Sequence, residues 1–264
     1  MLLVAGSLDR ELLYAALVTH GSPWQDVEHH ATIGSTNARA AWIAEPWRVV
    51  VSDHQSEGRG RLARSWEAPP GTSVAVSATI PVPDEGPAWL PLLAGVAVAE
   101  AITSVADLDV DLKWPNDVLL PSDGDRKVCG VLCEVVQAPG GGCVVIGAGI
   151  NVEQDRGQLP VDTATSLALG GAPDVDRNRL VAAYLSGVAR WYSALTGDDP
   201  AGLRDAYRQR CSTIGRTVTV SRPEGPDLLG TAVAVDDDGR LVIDSADGRH
   251  AWAAGDVTHV RSTG

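Results

Sequence analysis

Lysine is nearly absent from this chain of 264 residues, which has 21 basic residues but only two lysines, Lys113 and Lys127. A guanidinium group is a planar fork and an ammonium group is a compact point charge, so the two substitute poorly at a tight phosphate or carboxylate. A coding bias toward arginine, with two lysines left by chance, is one explanation. Both lysines, however, stand in one glycine-flanked, strand-like stretch, and we expect both to have a chemical function.

Phenylalanine is missing and the single methionine is the first residue, so the core must consist mainly of Leu, Val, Ala and Ile. No apolar run approaches the ~18 to 20 residues of a membrane span. The N-terminus has no basic region before its short apolar stretch, which makes it a poor signal peptide. We therefore expect a cytoplasmic protein with no membrane partner.

Cysteine is scarce as well, and the four cysteines show no metal-ligand spacing, so no metal site is expected. Alternation along one predicted strand puts Cys129 and Cys133 on the same face as Val131 and Val135. We interpret both cysteines as small buried hydrophobic residues in a reducing cytoplasm. A disulfide or a zinc site is the alternative.

Positive charge is in deficit, since the formal net charge is −13. Binding to DNA or RNA needs clustered positive charge, so no nucleic-acid partner is expected. Against this acidic background, the arginine-dense stretch from Arg59 to Arg64 stands out.

The hydrophobic pattern predicts an α+β fold. A first helix over 7–18 would be capped by Ser7, with Leu8, Leu12 and Ala15 on one face. Short strands after Cys211 indicate a small β-barrel, so we predict two domains, 1–211 and 212–264. Further helices are predicted at 89–105, 176–195 and 202–210, and strands at 48–52, 73–80, 110–120, 127–137, 143–150, 217–220, 230–235, 240–245 and 249–253.

The first segment that carries chemistry runs from residue 53 to residue 66, directly after a predicted strand. Gly58 and Gly60 allow the backbone to approach a ligand and to form an anion-binding nest. A solvated basic turn is the alternative. The segment also supplies three guanidinium groups and one indole ring, those of Arg59, Arg61, Arg64 and Trp66.

A second segment begins at Lys113 and contains Pro115, which cannot donate to a sheet and must break the strand or end it. The break would turn Asn116 and Asp117 toward a cavity, although Asp117 could also be a turn-capping carboxylate. A third segment, 147–151, ends a strand on a polar residue. Earlier, residues 32–37 place hydroxyls and an amide at the start of a helix, where N-terminal amides bind polar ligands.

In this order, the motifs GSTN, GRGR with a following tryptophan, KWPND, RKxxGxLxE and GxGxN resemble those of the biotin protein ligases over nearly the whole chain. The segment 164–167 and the predicted barrel agree with the resemblance. It implies a class II synthetase-like catalytic domain, with a mixed β-sheet flanked by helices, followed by an SH3-like β-barrel. The chain is most similar to the monofunctional class, which has no N-terminal DNA-binding domain.

The resemblance also implies a role for each motif residue. The residues expected to act in catalysis are Lys127, Arg59, Arg61, Lys113 and Asp117, of which Asp117 would orient or deprotonate the acceptor lysine. The biotin-binding set is Ser35, Thr36, Asn37, Gln55, Gly58, Arg59, Arg61, Lys127, Gly130 and Leu132. The ATP-binding set is Arg59, Arg61, Arg64, Trp66, Lys113, Asn116, Lys127 and Asn151.

The implied activity is ATP-dependent activation of biotin as biotinyl-5′-AMP and its transfer to a lysine of a biotin carboxyl carrier domain of acyl-CoA carboxylases. Biotin and ATP would be substrates, with Mg²⁺ held mainly by phosphates, and the protein would be a monomer or a weak dimer. A lipoate–protein ligase and a non-catalytic biotin sensor are the alternatives.

One departure from the family concerns the arginine loop. Many relatives continue this loop as GRGRRGR, whereas Leu62 and Ala63 stand here in place of Arg and Gly. One cation and one flexible hinge are lost. We expect slower or less complete closure of the loop over the adenylate.

Overall fold

A seven-stranded mixed sheet forms the larger part of the computed structural model, which describes residues 7–84, 86–137, 141–197, 199–221, 227–253 and 255–260. The strand order is β1-β2-β3-β7-β6-β5-β4, with β1 and β2 parallel and every other pair antiparallel. The strands are β1 (Asp26–His30), β2 (Arg48–Ser52), β3 (Ser73–Pro81), β4 (Asp111–Lys113), β5 (Asp117–Leu120), β6 (Arg126–Val136) and β7 (Cys143–Asn151).

Helices cover both faces of this sheet. On one face α2 packs over β2, β3 and β7, where Ala40, Val50 and Val145 form a small apolar cluster. The opposite face is covered by α3 and α4, which pack on each other and enclose the main core. The helices are α1 (Arg10–Leu17), α2 (Thr36–Ile43), α3 (Leu90–Ala106), α4 (Arg177–Thr196) and α5 (Pro200–Arg210).

The segment Pro87–Ala106, which contains α3, is long and apolar enough to cross a membrane by length and composition. The expectation that no apolar run approaches that length was therefore wrong for this segment. In the structure it is a core helix, because 67% of an 18-residue window within the segment is buried inside the protein. A helix that is hydrophobic on nearly all sides is expected at such a position.

A second, five-stranded antiparallel sheet follows α5, in the order β11-β10-β9-β8-β12. Two indole N–H groups are among the donors that join it to the first part of the chain. They donate to backbone carbonyls at 2.8 Å (Trp89 to Asp237) and 3.0 Å (Trp114 to Gly239). The predicted α+β fold with a small C-terminal β domain is confirmed. The strands are β8 (Thr217–Ser221), β9 (Leu228–Val235), β10 (Leu241–Ser245), β11 (Gly248–Trp252) and β12 (Asp256–His259).

The first helix differs from its prediction. It begins at Arg10 and is capped by Asp9, whose carboxylate accepts from the backbone N–H groups of Glu11 and Leu12. The predicted apolar face was wrong, because Leu13 and Leu17 are buried whereas Leu12 is 60% exposed. The stretch 1–6, on which the signal-peptide prediction depends, lies outside the described residues.

The predicted strand over 110–120 is two strands, β4 and β5, which pair as an antiparallel hairpin around a cis Trp114–Pro115 bond. The predicted break at Pro115 is thus confirmed, whereas the single strand was wrong. The strands β1 and β12 were not predicted from the sequence. Neither of these short strands shows strong hydrophobic alternation.

All four cysteines are free. Cys129 is fully buried, and burial raises the pKa of its thiol to about 12, which fits a small hydrophobic residue. The face of β6 that Cys129 shares with Val135 is more open at the end where Val135 lies. Val135 is 63% exposed and, with Cys133, lines a cavity of about 280 Å³ between the start of α3 and the C-terminal sheet.

Candidate active site

Two cross-strand rows of residues on the α2 face of the large sheet form the floor of the site. In the first row Ser77 pairs with Gly147, and Gly147 pairs with Leu132. The second row runs through Ala75, Gly149, Gly130 and Asp117. Because three of these positions are glycine, the floor is open to whatever lies above it.

The start of α2 supplies the polar wall above the first row. Ser35 caps the helix, its hydroxyl accepting from the Ala38 N–H at 3.3 Å. The backbone N–H of Thr36 donates to Gln55 Oε1 at 2.8 Å, and the Thr36 hydroxyl lies 3.0 Å from the same oxygen. The structure therefore brings the predicted hydroxyl and amide groups of two distant segments together.

Asn37 follows on α2 and is almost fully buried. Its Nδ2 donates to Glu134 Oε2 at 2.7 Å, and its Oδ1 accepts from the Ser77 hydroxyl at 2.6 Å. No role for Ser77 or Glu134 was predicted from the sequence. Ser77 could have been found as a hydroxyl within an apolar strand, and Glu134 ends a motif that had already been singled out.

The arginine segment folds as a narrow hairpin over the second row. The Trp66 N–H donates to Gly58 O at 2.9 Å and the Gly60 N–H donates to Arg64 O at 2.7 Å. At its tip, Leu62 and Ala63 have φ values of 56° and 58°. These two residues, which replace Arg and Gly of the family pattern, thus adopt the left-handed conformation that favours glycine.

Arg61 connects this hairpin to two other parts of the protein. Its guanidinium group donates to Asn116 Oδ1 at 2.9 Å and to the carbonyl of Gly255 at 3.2 Å. Asn116 in turn donates through Nδ2 to Val131 O at 2.9 Å. The guanidinium group therefore ties the loop to the KWPND turn and to the C-terminal sheet.

The two lysines share one carboxylate. Lys127 Nζ lies 2.5 Å from Asp117 Oδ1, and Lys113 Nζ lies 4.0 Å from Asp117 Oδ2. The backbone of Lys127 is fixed separately, since its N–H donates to Thr163 O and its carbonyl accepts from the Thr165 N–H, both at 2.8 Å. The segment 164–167 thus has a structural role beside Lys127.

Asn151 lies close to this segment and is buried. Its Nδ2 donates to Thr165 O at 2.9 Å, and its Oδ1 accepts from Gln154 at 2.9 Å. Both ends of its amide are therefore engaged within the protein. Asn151 supports the segment that holds Lys127, and its predicted contact with ATP stays a prediction.

Trp66 closes the site from above. Its indole ring packs directly on the backbone of Gly149 and Gly130, and any Cβ at Gly149 would overlap the ring. Lys127 Nζ lies 5.7 Å from the ring centroid. The indole N–H is buried and has no hydrogen-bond partner among the residues that the structure describes, which is costly for a buried donor.

A pocket of about 50 Å³ remains between these groups. Among the predicted site residues, Gly58, Arg64, Lys113, Asp117 and Asn151 do not line it. Val131 and Ala148 line it and were missed, and Gly147 and Gly149 line it although no role had been assigned to them. The other predicted residues all line it: Ser35, Thr36, Asn37, Gln55, Arg59, Arg61, Trp66, Asn116, Lys127, Gly130 and Leu132.

The residues of the site do not form a metal-binding cluster. No group of three or more His, Cys, Asp or Glu side chains suited to a metal ion occurs among the residues that the structure describes. The carboxylate of Asp117 is engaged by two ammonium groups. The expectation that Mg²⁺ is held mainly by phosphates stays a prediction.

Comparison with known proteins agrees with this arrangement. A model of the biotin/lipoate A/B protein ligase family matches residues 31–151, and a model of the biotin protein ligase C terminal domain matches residues 213–260. The biotin–[acetyl-CoA-carboxylase] ligase of Mycobacterium tuberculosis is 37% identical over 268 residues, covering 96% of each chain. The bifunctional ligase/repressor BirA of Bacillus subtilis is 29% identical, covering 85% of this chain and 71% of the relative.

Solved structures show the same fold. The biotin protein ligase from Aquifex aeolicus in complex with biotin and ATP superposes with a TM-score of 0.78 at 25% identity, covering 90% of this chain and all of that one. The Leishmania major enzyme in complex with biotinyl-5-AMP has a TM-score of 0.60 at 23% identity, covering 88% of this chain and 99% of that one. Together with the near-full-length match to the mycobacterial ligase, these findings show that the chain belongs to the biotin protein ligase family of enzymes.

Proposed function

We propose that this protein activates biotin with ATP as biotinyl-5′-AMP and transfers the biotinyl group to a lysine of a biotin carboxyl carrier domain. One observation carries the proposal. A single pocket is lined at one end by the paired Thr36 and Gln55, and elsewhere by Arg59, Arg61 and Lys127. Such a pocket suits a molecule with a neutral polar head and an anionic tail.

The first chemical step has to bring two anions together. A carboxylate oxygen of biotin attacks the α-phosphorus of ATP, the bond from that phosphorus to the bridging oxygen breaks, and pyrophosphate leaves. Lys127, Arg59 and Arg61 would offset the repulsion between the carboxylate and the phosphate. Preorganised cations in a site that excludes water contribute several kcal/mol to such a step.

Trp66 supports a nucleotide above the glycine floor. Its buried indole N–H has no partner in the part of the chain that the structure describes, and an acceptor atom on a bound ligand would satisfy it. Its flat face is suited to stacking on a base. We assign Trp66, together with Asn116, to the adenylate end of the site.

In the second step the neutral amine of an acceptor lysine attacks the carbonyl carbon of the mixed anhydride. The bond from that carbon to the phosphate oxygen breaks, AMP leaves, and the nitrogen loses a proton. Asp117, on the floor between the two lysines, is the carboxylate that we assign to orient or deprotonate the amine. A phosphate that draws Lys127 toward itself would release Asp117 for this role.

The pocket is too small for either substrate in the present conformation, since sites for molecules of this size are about 300–1,000 Å³ and this one is about 50 Å³. The hairpin that carries Trp66 is the element above the floor. We infer that it opens to admit the ligands and then closes over the adenylate, which protects the anhydride from water.

The acceptor and the setting are proposed from the relatives. The mycobacterial relative is named for acetyl-CoA carboxylase, which supports a carboxylase carrier domain as the acceptor. We propose a cytoplasmic enzyme, a monomer or a weak dimer, with a catalytic domain at 1–211 and an SH3-like barrel at 212–264.

Transfer of labelled biotin to a purified biotin carboxyl carrier domain tests the proposal. We expect transfer that requires ATP and Mg²⁺ and pyrophosphate release that requires biotin. Titration of biotin and of lipoate would separate the related activities. Tight binding of lipoate without binding of biotin would overturn the assignment, and biotin binding without pyrophosphate release would indicate a sensor.

A further inference from the structure

A chain of four polar side chains runs behind the pocket wall, from Glu134 through Asn37 and Ser77 to Thr36. The consecutive distances are 2.7 Å (Glu134 Oε2 to Asn37 Nδ2), 2.6 Å (Asn37 Oδ1 to Ser77 Oγ) and 2.8 Å (Ser77 Oγ to Thr36 Oγ1). Asn37, Ser77 and Thr36 are all buried. In such a dry network each proton must point toward an acceptor, because an unmet donor or acceptor there is costly.

The carboxylate at one end fixes the direction of the whole chain. An ionised Glu134 can only accept hydrogen bonds, and the nearby carbonyl of Leu132, 3.4 Å from Asn37 Nδ2, can also only accept. The NH₂ group of Asn37 must therefore face Glu134. Its oxygen must then face Ser77, and Ser77 has to donate its single proton to that oxygen.

The donor-to-acceptor direction of these hydrogen bonds also determines what Thr36 can offer in the pocket. Because the Ser77 proton is used on Asn37, the Ser77 oxygen can only accept from the Thr36 hydroxyl. The Thr36 proton is thus held within the protein, shared between Ser77 Oγ and Gln55 Oε1, and the Thr36 hydroxyl can offer only an acceptor to a ligand. Gln55 is oriented by the backbone N–H of Thr36, which binds its oxygen, so its amide nitrogen is the donor left for the ligand.

The space around Asn37 leaves it no other position. The amide packs directly on the backbone of β7, where a Cβ at Gly147 would overlap Asn37 Oδ1. Exchange of the oxygen and nitrogen by rotation of the amide is the remaining freedom, and it would reverse every hydrogen bond between Asn37 and the pocket. The Glu134 carboxylate opposes that rotation, because it would face the amide oxygen of Asn37 in place of the NH₂ group.

We propose that Glu134 is a positioning residue that sets the hydrogen-bond polarity of the pocket, so that Thr36 accepts and Gln55 donates. An adjacent acceptor and donor match a group in which an N–H neighbours a C=O, as in a cyclic urea. The inference rests on the proposed function, because it explains how the pocket recognises the ureido head of biotin. Glu134 itself does not line the pocket.

The substitution Glu134→Gln tests the proposal, since it keeps the size of the side chain and removes the charge. A glutamine amide accepts or donates equally well, so only the longer 3.4 Å contact with the Leu132 carbonyl would still hold Asn37 in its orientation. We expect the Kd for biotin to rise by about 3- to 10-fold, the range of one net hydrogen bond. The KM for ATP and the kcat at saturating biotin should stay within twofold of the wild type.

Two further variants complete the experiment. Ser77→Ala interrupts the chain at its centre and should raise the Kd for biotin by a similar factor, and the double variant with Glu134→Gln should show no further loss. Glu11→Gln, on the exposed side of α1, is the matched control and should leave binding unchanged.

The outcomes separate this inference from the proposed function. If wild-type protein binds biotin and Glu134→Gln binds it equally well, the inference is overturned while the proposed function stands. A parallel rise in the KM for ATP would also overturn it, because a general structural defect affects both substrates. Failure of the wild-type protein to bind biotin would overturn the proposed function itself.

Discussion

The ammonium group of Lys127 lies 2.5 Å from Oδ1 of Asp117, although the two residues are on different strands of the hairpin that β5 forms with β6. Lys127 also lines the pocket and lies 5.7 Å from the ring centroid of Trp66. One ammonium group thus connects the floor carboxylate, the indole and the reaction space.

Lys127→Arg should abolish most adenylate formation, with a fall of about 100-fold in the single-turnover rate. A guanidinium fork is too broad to occupy the point between Asp117, the indole and an incoming α-phosphate. Rapid-quench measurement of biotinyl-5′-AMP formation tests this. Lys113→Arg is the matched control. Because Lys113 does not line the pocket, this substitution should reduce the rate less than Lys127→Arg does, and its effect should appear mainly in the KM for ATP. A near-normal rate for Lys127→Arg would contradict the prediction.

Gly149→Ala should displace Trp66 from the floor, because the added methyl group would overlap the indole ring. We expect greater quenching of tryptophan fluorescence by iodide and a rise of about 10-fold in the KM for ATP, as for an overpacked contact. Iodide titration of the variant with and without Trp66→Leu isolates this indole from the other seven tryptophans. Gly157→Ala, where the added Cβ would meet its neighbour at 3.4 Å, should cause neither effect.

Ala63→Gly should favour the closed arginine hairpin. The left-handed conformation costs a residue with a side chain about 1–2 kcal/mol, whereas glycine loses about 0.5–1 kcal/mol more in backbone entropy on ordering. The net effect should be stabilisation of the hairpin by about 0.5–1 kcal/mol. Hydrogen exchange of the amides at 59–65 should slow, and bound adenylate should hydrolyse more slowly. Ala63→Val should have the opposite effect, and equal exchange in the two variants would contradict the explanation.

Acid should lower the stability of the folded protein through the protonation of His259. Burial, followed by the charges of Lys113 and Arg216, lowers the pKa of this imidazole to about 4, from 6.5. Its Nε2 lies 3.0 Å from the hydroxyl of Thr213. This hydroxyl accepts a hydrogen bond from the backbone N–H of Trp114. Neutral His259 can accept the Thr213 proton, and a protonated imidazole cannot.

The unfolded chain therefore binds more protons than the native protein between about pH 6.5 and 4, so stability is present above this window and is lost as the pH falls through it. After allowance for partial exposure, protonation of His259 should lower the free energy of unfolding by about 1 kcal/mol between pH 7 and pH 5. Urea unfolding of the wild type and of His259→Gln at both pH values tests this, since glutamine keeps an acceptor that does not titrate. The same loss in both proteins would refute the assignment.

Local patterns in the sequence were sufficient to predict most strands, the long helices and the motif residues around the pocket. The glycines of the RKxxGxLxE and GxGxN motifs marked a backbone that something must approach closely. They could not show that the approaching group is Trp66. That contact joins three segments, and it depends on the register of β6 with β7.

Other misses have the same physical origin. The pairing of Lys127 with Asp117 depends on an irregularity in register between Val118 and Leu119, which no spacing in the sequence reveals. The buried face of α1 was misjudged because contacts with α4 and β1, and not helical periodicity alone, decide which leucines are inside. The hydroxyl of Ser77 is visible within an apolar strand of the sequence, but its partner Asn37 is 40 residues away and only the fold brings the two together.

The scarcity of lysine makes the active site open to chemical footprinting. Reagents that acylate amines can modify side chains only at positions 113 and 127, besides the chain terminus, and both ammonium groups lie beside Asp117. The extent of acylation at each position, read by peptide mass spectrometry, would therefore report nucleotide occupancy without any engineered label. Stronger protection of Lys127 than of Lys113 at saturating ATP would distinguish the lysine that contacts the phosphate from the one that supports it.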